Sequence, residues 1–133
     1  MIGLVLVSHG HLADSLLAAT TMIVGEQTQT AVVALMPGMT PESLQMAVMQ
    51  AIESVDRGEG VLLLADLFGG TPARVISEQV LLRHMPAISG MNLPMLLEVC
   101  IQREKATLGQ LRQIAYDSGR TGVIDIGACL AAT

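Results

Sequence analysis

The sequence predicts an α/β fold, a mostly parallel sheet covered by helices on both faces. Three observations lead there. Hydrophobic residues make up 51% of the 133 residues and charged residues 14%, the reverse of a disordered chain. The apolar residues fall in short runs such as Leu4 to Val7, Val61 to Ala65 and Pro94 to Leu97. Short continuous runs mark strands buried on both faces, as parallel strands are. Between these runs the apolar spacing switches to a helical period, so strands and helices alternate along the chain.

Each element has its own signal. Ile2 to Val7 is an apolar, β-branched strand. Leu12, Leu16, Ala19 and Ile23 share one helical face, and Gly25 is placed to end that helix. Thr30 to Met36 reads as the second strand, closed by Pro37-Gly38. Thr40-Pro41-Glu42 is a helix start: a hydroxyl N-cap, proline at the first position, an acid in the first turn. Leu44, Ala47, Val48, Ala51, Ile52 and Val55 continue that helix to Asp56. Gly60 to Ala65 is the third strand, and Asp66 to Gly70 a polar, glycine-bearing turn. Thr71-Pro72 repeats the Thr-Pro start, predicting a helix to about His84. Ala87 to Ser89 is a short fourth strand and Gly90 to Leu93 a loop. Pro94 opens a helix to about Arg103, and Thr107 caps another with Leu108, Leu111 and Ala115 on one face and Gly119 at its end. Gly122 to Ile126 reads as a fifth strand before an alanine-rich tail. No repeat or linker divides the chain, so residues 1–133 are expected to form one domain. The nine methionines suit adaptable core filler.

Strand–helix alternation at this length predicts a small doubly wound, flavodoxin-like sheet with the first strand near its centre. Ligands of such sheets bind beyond the carboxyl ends of the strands, at the switch point between strands one and three. That rule selects Ser8-His9-Gly10-His11 and Asp66-Leu67-Phe68-Gly69-Gly70-Thr71. A neutral imidazole is a nucleophile at one nitrogen only when the other carries the proton. A carboxylate at Nδ1 would accept that proton's hydrogen bond and leave the Nε2 lone pair outward. Gly10, Gly69 and Gly70 permit close backbone approach, helix N-termini begin just beyond, and Thr71 adds a hydroxyl, so these turns suit a phosphate. Other readings stand beside this one. A histidine after a strand is also a common structural residue, and an aspartate there also a turn former or cap. His11 reads as first-turn surface or as a modulator of the site. His84 reads as a contact to a helix C-terminus. Arg74 sits in a first turn where an acid is favoured, and reads as solvated surface or as a phosphate or partner contact.

Several functions are excluded. Aromatics are 2% of the chain, only Phe68 and Tyr116, so base stacking has no platform. Net charge −5 and pI near 5.0 oppose a nucleic-acid backbone. No GxxxxGK[ST] loop exists. Mean hydropathy of +0.56 suggests a membrane, but no run approaches the ~20 residues of a span. The start lacks a basic n-region, so no signal peptide is expected. Cys100 and Cys129 lack CxxC spacing, and reduced thiols in the cytoplasm are expected.

At these residues the chain resembles the enzyme IIA domain of the mannose-type bacterial phosphotransferase system. The resemblance covers Ile2 to Gly10, Met22-Ile23-Val24-Gly25-Glu26, Met36-Pro37-Gly38, Ala65 to Pro72, Ser89 to Glu98 and Ser118 to Val123. It implies that His9 accepts a phosphoryl group on Nε2 from the phosphohistidine of the carrier HPr and passes it to an enzyme IIB. It implies that Asp66 orients the imidazole, and that Phe68 stands beside the active histidine. It also implies a homodimer in which the C-terminal strand, here Val123 to Ile126, pairs across to the other subunit. No cofactor is expected, because phosphohistidine itself carries the group-transfer potential. Association with membrane IIC and IID components would run through IIB. The chain ends soon after the last strand, so no fused IIB domain is expected. Leu12, Leu67, Phe68 and Met91, at the strand ends, are the expected apolar rim for docking partners.

Three alternatives remain. A IIA domain can report its phosphorylation state to a partner outside transport. Histidine phosphatases and mutases also carry His-Gly after strand one, but typically with arginine before the histidine, where this chain has Ser8. A small chelatase would need a second His/Glu cluster, and the sequence offers none.

Overall fold

A computed structural model describes residues 1–132. Its elements in chain order are β1 (Gly3–His9), α1 (Leu12–Val24), β2 (Thr30–Leu35), α2 (Pro41–Val55), β3 (Val61–Ala65), α3 (Gly70–Arg83), β4 (Ala87–Ser89), α4 (Leu93–Gln102), α5 (Leu108–Thr121) and α6 (Ile126–Ala131). The four strands are all parallel and ordered β2-β1-β3-β4. The chain steps from β1 outward to β2, then back across β1 to β3, which puts the switch point between β1 and β3.

The apolar runs are continuous because both faces of the central strands are covered. Leu4, Leu6, Leu62 and Leu64 point to one side, among Met95, Leu96 and Val99 of α4 and Leu111 and Ala115 of α5, with α1 beside them. Val5, Val7, Leu63 and Ala65 point to the other, among Leu44, Val48 and Ile52 of α2 and Val75 and Ile76 of α3. Alternation along a strand thus divides the core into two layers, each sealed by helices.

The helix starts show which local signals act as expected. Thr40 Oγ1 accepts from the Ser43 amide at 3.1 Å, with Pro41 at the first position. Thr107 and Gln110 form a reciprocal capping box. Asn92 caps α4 through the Met95 amide at 3.0 Å, and its Nδ2 donates to Gly119 O at 2.9 Å, tying the start of α4 to the end of α5.

Three expectations are corrected. Thr71 is not an N-cap: α3 begins at Gly70, with Gly69 capping by backbone alone. Gly119 does not end α5, which continues to Thr121. A Cβ there would lie 2.5 Å from Met95 Cε, so this glycine serves close packing of α5 on α4. The fifth strand does not form. Gly122 caps α5, and Asp125 Oδ1 accepts from the Ala128 amide at 3.0 Å to start α6. A strand needs a ladder partner for its backbone groups, and within one chain this segment has none. Val123, Ile124 and Ile126 therefore stay exposed, Val123 at 79%. β4 remains an edge strand, and beside it runs an apolar groove of about 350 Å³ lined by Ala73, Ile76, Val80, Leu81, Ile88 and Phe68.

At the amino ends of the strands Arg103 is buried, 1% exposed, with no carboxylate partner among the described residues. Its guanidinium donates to Ile2 O (3.1 and 3.0 Å), Gln29 O (2.8 Å), Thr30 Oγ1 (2.8 Å) and Gln27 Oε1 (3.4 Å). It clamps the beginnings of β1 and β2 to the end of α4.

Candidate active site

β1 ends at His9 and β3 ends one residue before Asp66, so neighbouring strands bring the two together. Asp66 continues the ladder, its amide donating to Val7 O at 3.2 Å. Its Oδ2 accepts twice from His9, from the backbone amide at 2.9 Å and the ring Nδ1 at 2.8 Å. Its Oδ1 accepts from the Leu67 amide at 2.9 Å. The Asp66 side chain is 5% exposed and the His9 side chain 47%: a buried acid holds a half-open ring.

Burial pushes the Asp66 carboxyl up. The hydrogen bonds from the His9 amide, the His9 ring and the Leu67 amide, with the charge of the ring, outweigh that and hold it below the usual carboxylate range. An ionised carboxylate only accepts, so His9 Nδ1 is the donor, and in the neutral ring the lone pair is on Nε2.

The free nitrogen meets the start of α3. A Cβ on Gly70 would lie 3.3 Å from His9 Nε2, and Gly70 has φ +71°, where an L side chain is strained. Both conditions explain a glycine here. The opening N–H groups of α3 have no partner inside the helix and carry its positive dipole end. Thr71 lies in the first turn with its hydroxyl unused as a cap, beside these N–H groups. On the other flank Gly10 adopts φ +54° between β1 and α1.

The profile of the family described as "PTS system fructose IIA component", EIIA-man, matches residues 3–115. The chain belongs to the EIIA-man family. It is 33% identical over 124 residues to the mannose-specific EIIAB component of the phosphotransferase system of Escherichia coli K12, covering 92% of this chain. It spans 38% of that relative's length. It is 35% identical over 115 residues to the fructose-specific EIIA component of Bacillus subtilis, covering 84% of this chain and 77% of that one. Among solved structures, EIIA from Streptococcus agalactiae superimposes with a TM-score of 0.88 at 27% identity, covering 97% of this chain and all of that one. The mannose/sorbose IIA subunit of Enterococcus faecalis gives 0.80 at 28% identity, covering 92% of each.

As a IIA domain the chain departs from the sequence reading at one rim position. Leu12, Leu67 and Phe68 are exposed around the site, Phe68 at 83%. Met91 is 6% exposed, packed in the layer of α4 and α5, with its amide donating to Ala65 O at 2.9 Å. It supports the floor behind Asp66 and presents nothing to a partner. His11 holds its Nδ1 3.2 Å from Asp14 Oδ2, both exposed, on the first turn of α1. His84 caps the far end of α3 with φ +55° and its amide on Val80 O at 3.1 Å, away from the site.

Ser8 is the residue that pattern reading passed over. It is fully buried, and its Oγ accepts from the Ala13 amide at 2.9 Å while donating to Gly10 O at 3.3 Å. It braces the turn that carries His9 and caps α1 from five residues away. A hydroxyl directly before the histidine was the available signal. Cys100 is buried, which pushes its thiol up to about 11, and Cys129 is exposed. Among the described residues no cluster of three or more His, Cys, Asp or Glu is placed to hold a metal, and no helix is long and apolar enough to cross a membrane.

Proposed function

We propose that the chain is a phosphocarrier of sugar uptake that takes a phosphoryl group from phospho-HPr on His9 Nε2 and delivers it to an enzyme IIB. The observation that carries this reading is the Asp66–His9 contact at 2.8 Å, which commits the proton to Nδ1 and leaves Nε2 facing the start of α3. In the transfer the Nε2 lone pair attacks phosphorus, the new N–P bond forms as the donor's P–N bond breaks, and the leaving imidazole keeps the electron pair. The His9 ring becomes positively charged with its proton still on Nδ1, and Asp66 stabilises that charge. The Gly70 and Thr71 amides and the Thr71 hydroxyl receive the phosphoryl oxygens. Catalysis here is positioning and charge stabilisation. Transfer onward to IIB reverses the same steps, and the exposed Leu12, Leu67 and Phe68 form the rim on which both partners dock.

Incubation with phosphoenolpyruvate, enzyme I and HPr is expected to place one acid-labile phosphoryl group on the chain, absent in His9→Ala. Label persisting in His9→Ala would overturn the assignment. Phe68→Ala is expected to slow transfer from HPr while leaving stability unchanged. Equal rates would remove Phe68 from the rim.

The same reading includes a homodimer in which Val123 to Ile126 of one copy pairs along the β4 edge of the other. Its support is an exposed apolar segment and an open apolar groove beside an edge strand in the same chain. Sedimentation velocity is expected to give a dimer, and Ile124→Asp a monomer.

A further inference from the structure

We infer that Arg74 binds the phosphoryl group carried on His9, serving as the cation that holds its oxygens during transfer. The inference rests on the phosphocarrier reading. Arg74 lies four residues after Gly70 on α3, one helical turn along, and both are exposed on the same side while Pro72, Ala73, Val75 and Ile76 face the core. The site of a Gly70 Cβ is 3.3 Å from His9 Nε2. Side chains on a helix lean toward its N-terminus, so a guanidinium at position 74 can reach back along α3 toward that nitrogen.

Charge points the same way. A cation near a helix N-terminus opposes the dipole, and no acid stands in the first turn of α3 to offset it. Among the described residues Arg74 forms no ion pair, hydrogen bond or ring contact. The guanidinium is therefore an unpartnered, forked donor on the helical turn after Gly70, suited to a phosphoryl dianion. The other cations do not compete for that place. Arg57 lies between α2 and β3, Arg83 ends α3, Arg103 and Lys105 lie at or just beyond the end of α4, and Arg112 lies near the start of α5, all toward the opposite end of the sheet. Arg120 does return to the site's end on α5, but it stacks on Tyr116 at 5.0 Å and donates to the Tyr116 hydroxyl at 2.8 Å. A phosphoryl group on Nε2 also sits on the far side of the ring from the Asp66 carboxylate, so Arg74 would neutralise charge that the buried acid cannot.

Two donors separate this role from partner docking. Phosphoramidate is a small donor with no protein surface, and phospho-HPr is the protein donor. Arg74→Gln is expected to slow labelling of His9 at least tenfold from both, with an altered ³¹P chemical shift of the phosphohistidine. Arg74→Lys is expected to recover part of the rate, since it restores the charge without the fork. Circular dichroism should not change and the thermal midpoint should not fall, because Arg74 is exposed, unpartnered and opposed to the helix dipole. Slowing with phospho-HPr alone, with normal phosphoramidate labelling and ³¹P shift, would make Arg74 a docking residue and overturn the inference. Equal behaviour of Arg74→Gln and wild type would overturn it while leaving the phosphocarrier reading intact. Absence of label on wild-type His9 with either donor would overturn both.

Discussion

The two ends of the sheet each bury one charge, and they use it in opposite ways. At the carboxyl end Asp66 is buried beneath His9, a half-exposed ring of a titratable kind. At the amino end Arg103 is buried against carbonyls, a hydroxyl and an amide, groups whose charge never changes. Burial of a charge costs free energy in both places unless hydrogen bonds satisfy it. At one end those bonds also fix which ring nitrogen of His9 carries the donated proton. At the other they only join β1, β2 and α4. A buried charge acquires chemistry when its partner is titratable and open to solvent.

The comparison breaks most visibly at Arg103. Arg103→Met removes both guanidinium donors from Ile2 O and leaves Gln29 O with the Leu4 amide alone, and the expected loss is about 3 kcal/mol or more. Urea denaturation would read it, and His9 labelling of the folded fraction should be normal. A variant as stable as wild type would show that the clamp is dispensable.

Asp66→Asn tests the other end. Both carboxylate oxygens accept N–H groups, so an amide must turn its own NH₂ against a donor. Transfer to His9 is expected to fall on the order of 100-fold, with a stability loss of about 1–2 kcal/mol. A stability loss without a rate loss would make Asp66 structural, like Arg103.

Gly70→Ala sharpens the geometry. Its Cβ would stand 3.3 Å from Nε2 on a backbone at φ +71°, costing about 1 kcal/mol. Labelling is expected to fall further than stability alone explains, because the methyl group occupies the phosphoryl position.

The smallest effect is on acid stability. Asp66 titrates lower folded than unfolded, where aspartate sits near about 3.9. Its contribution is therefore complete above that unfolded value and is lost as pH falls through the folded one. Wild type should lose a component of stability below about pH 3.9 that Asp66→Asn lacks, measured by urea midpoints across pH 2–6.

Much of this was legible in the chain. Leu4 to Val7 and Val61 to Ala65 read as doubly buried strands because nothing polar interrupts them. Thr40-Pro41 and Thr107 read as caps because capping is a contact over three residues. His9 and Asp66 were found together because strand ends converge in a doubly wound sheet. The errors share a cause. Thr71-Pro72 carries the same local signal as Thr40-Pro41, but two positive-φ glycines begin the helix earlier. Gly119 looks like a stop and is a packing contact with Met95, far away in sequence. Val123 to Ile126 has strand composition, and its expected pairing is with a second copy, so within one chain it meets no edge and forms no strand. Met91 lies at a strand end, where exposure depends on which helices cover it.

By itself the sequence determined the order and type of nearly every element, because periodicity and capping act over a few residues. It also placed the candidate site, because the strand ends that meet at the switch point carry His9 and Asp66. Tertiary structure decided which nitrogen of His9 is free, that Gly70 and not a side chain faces it, that Ser8 braces the turn, and that Arg103 is buried. Each of these depends on contacts between residues far apart in the chain, and no local pattern encodes their distance.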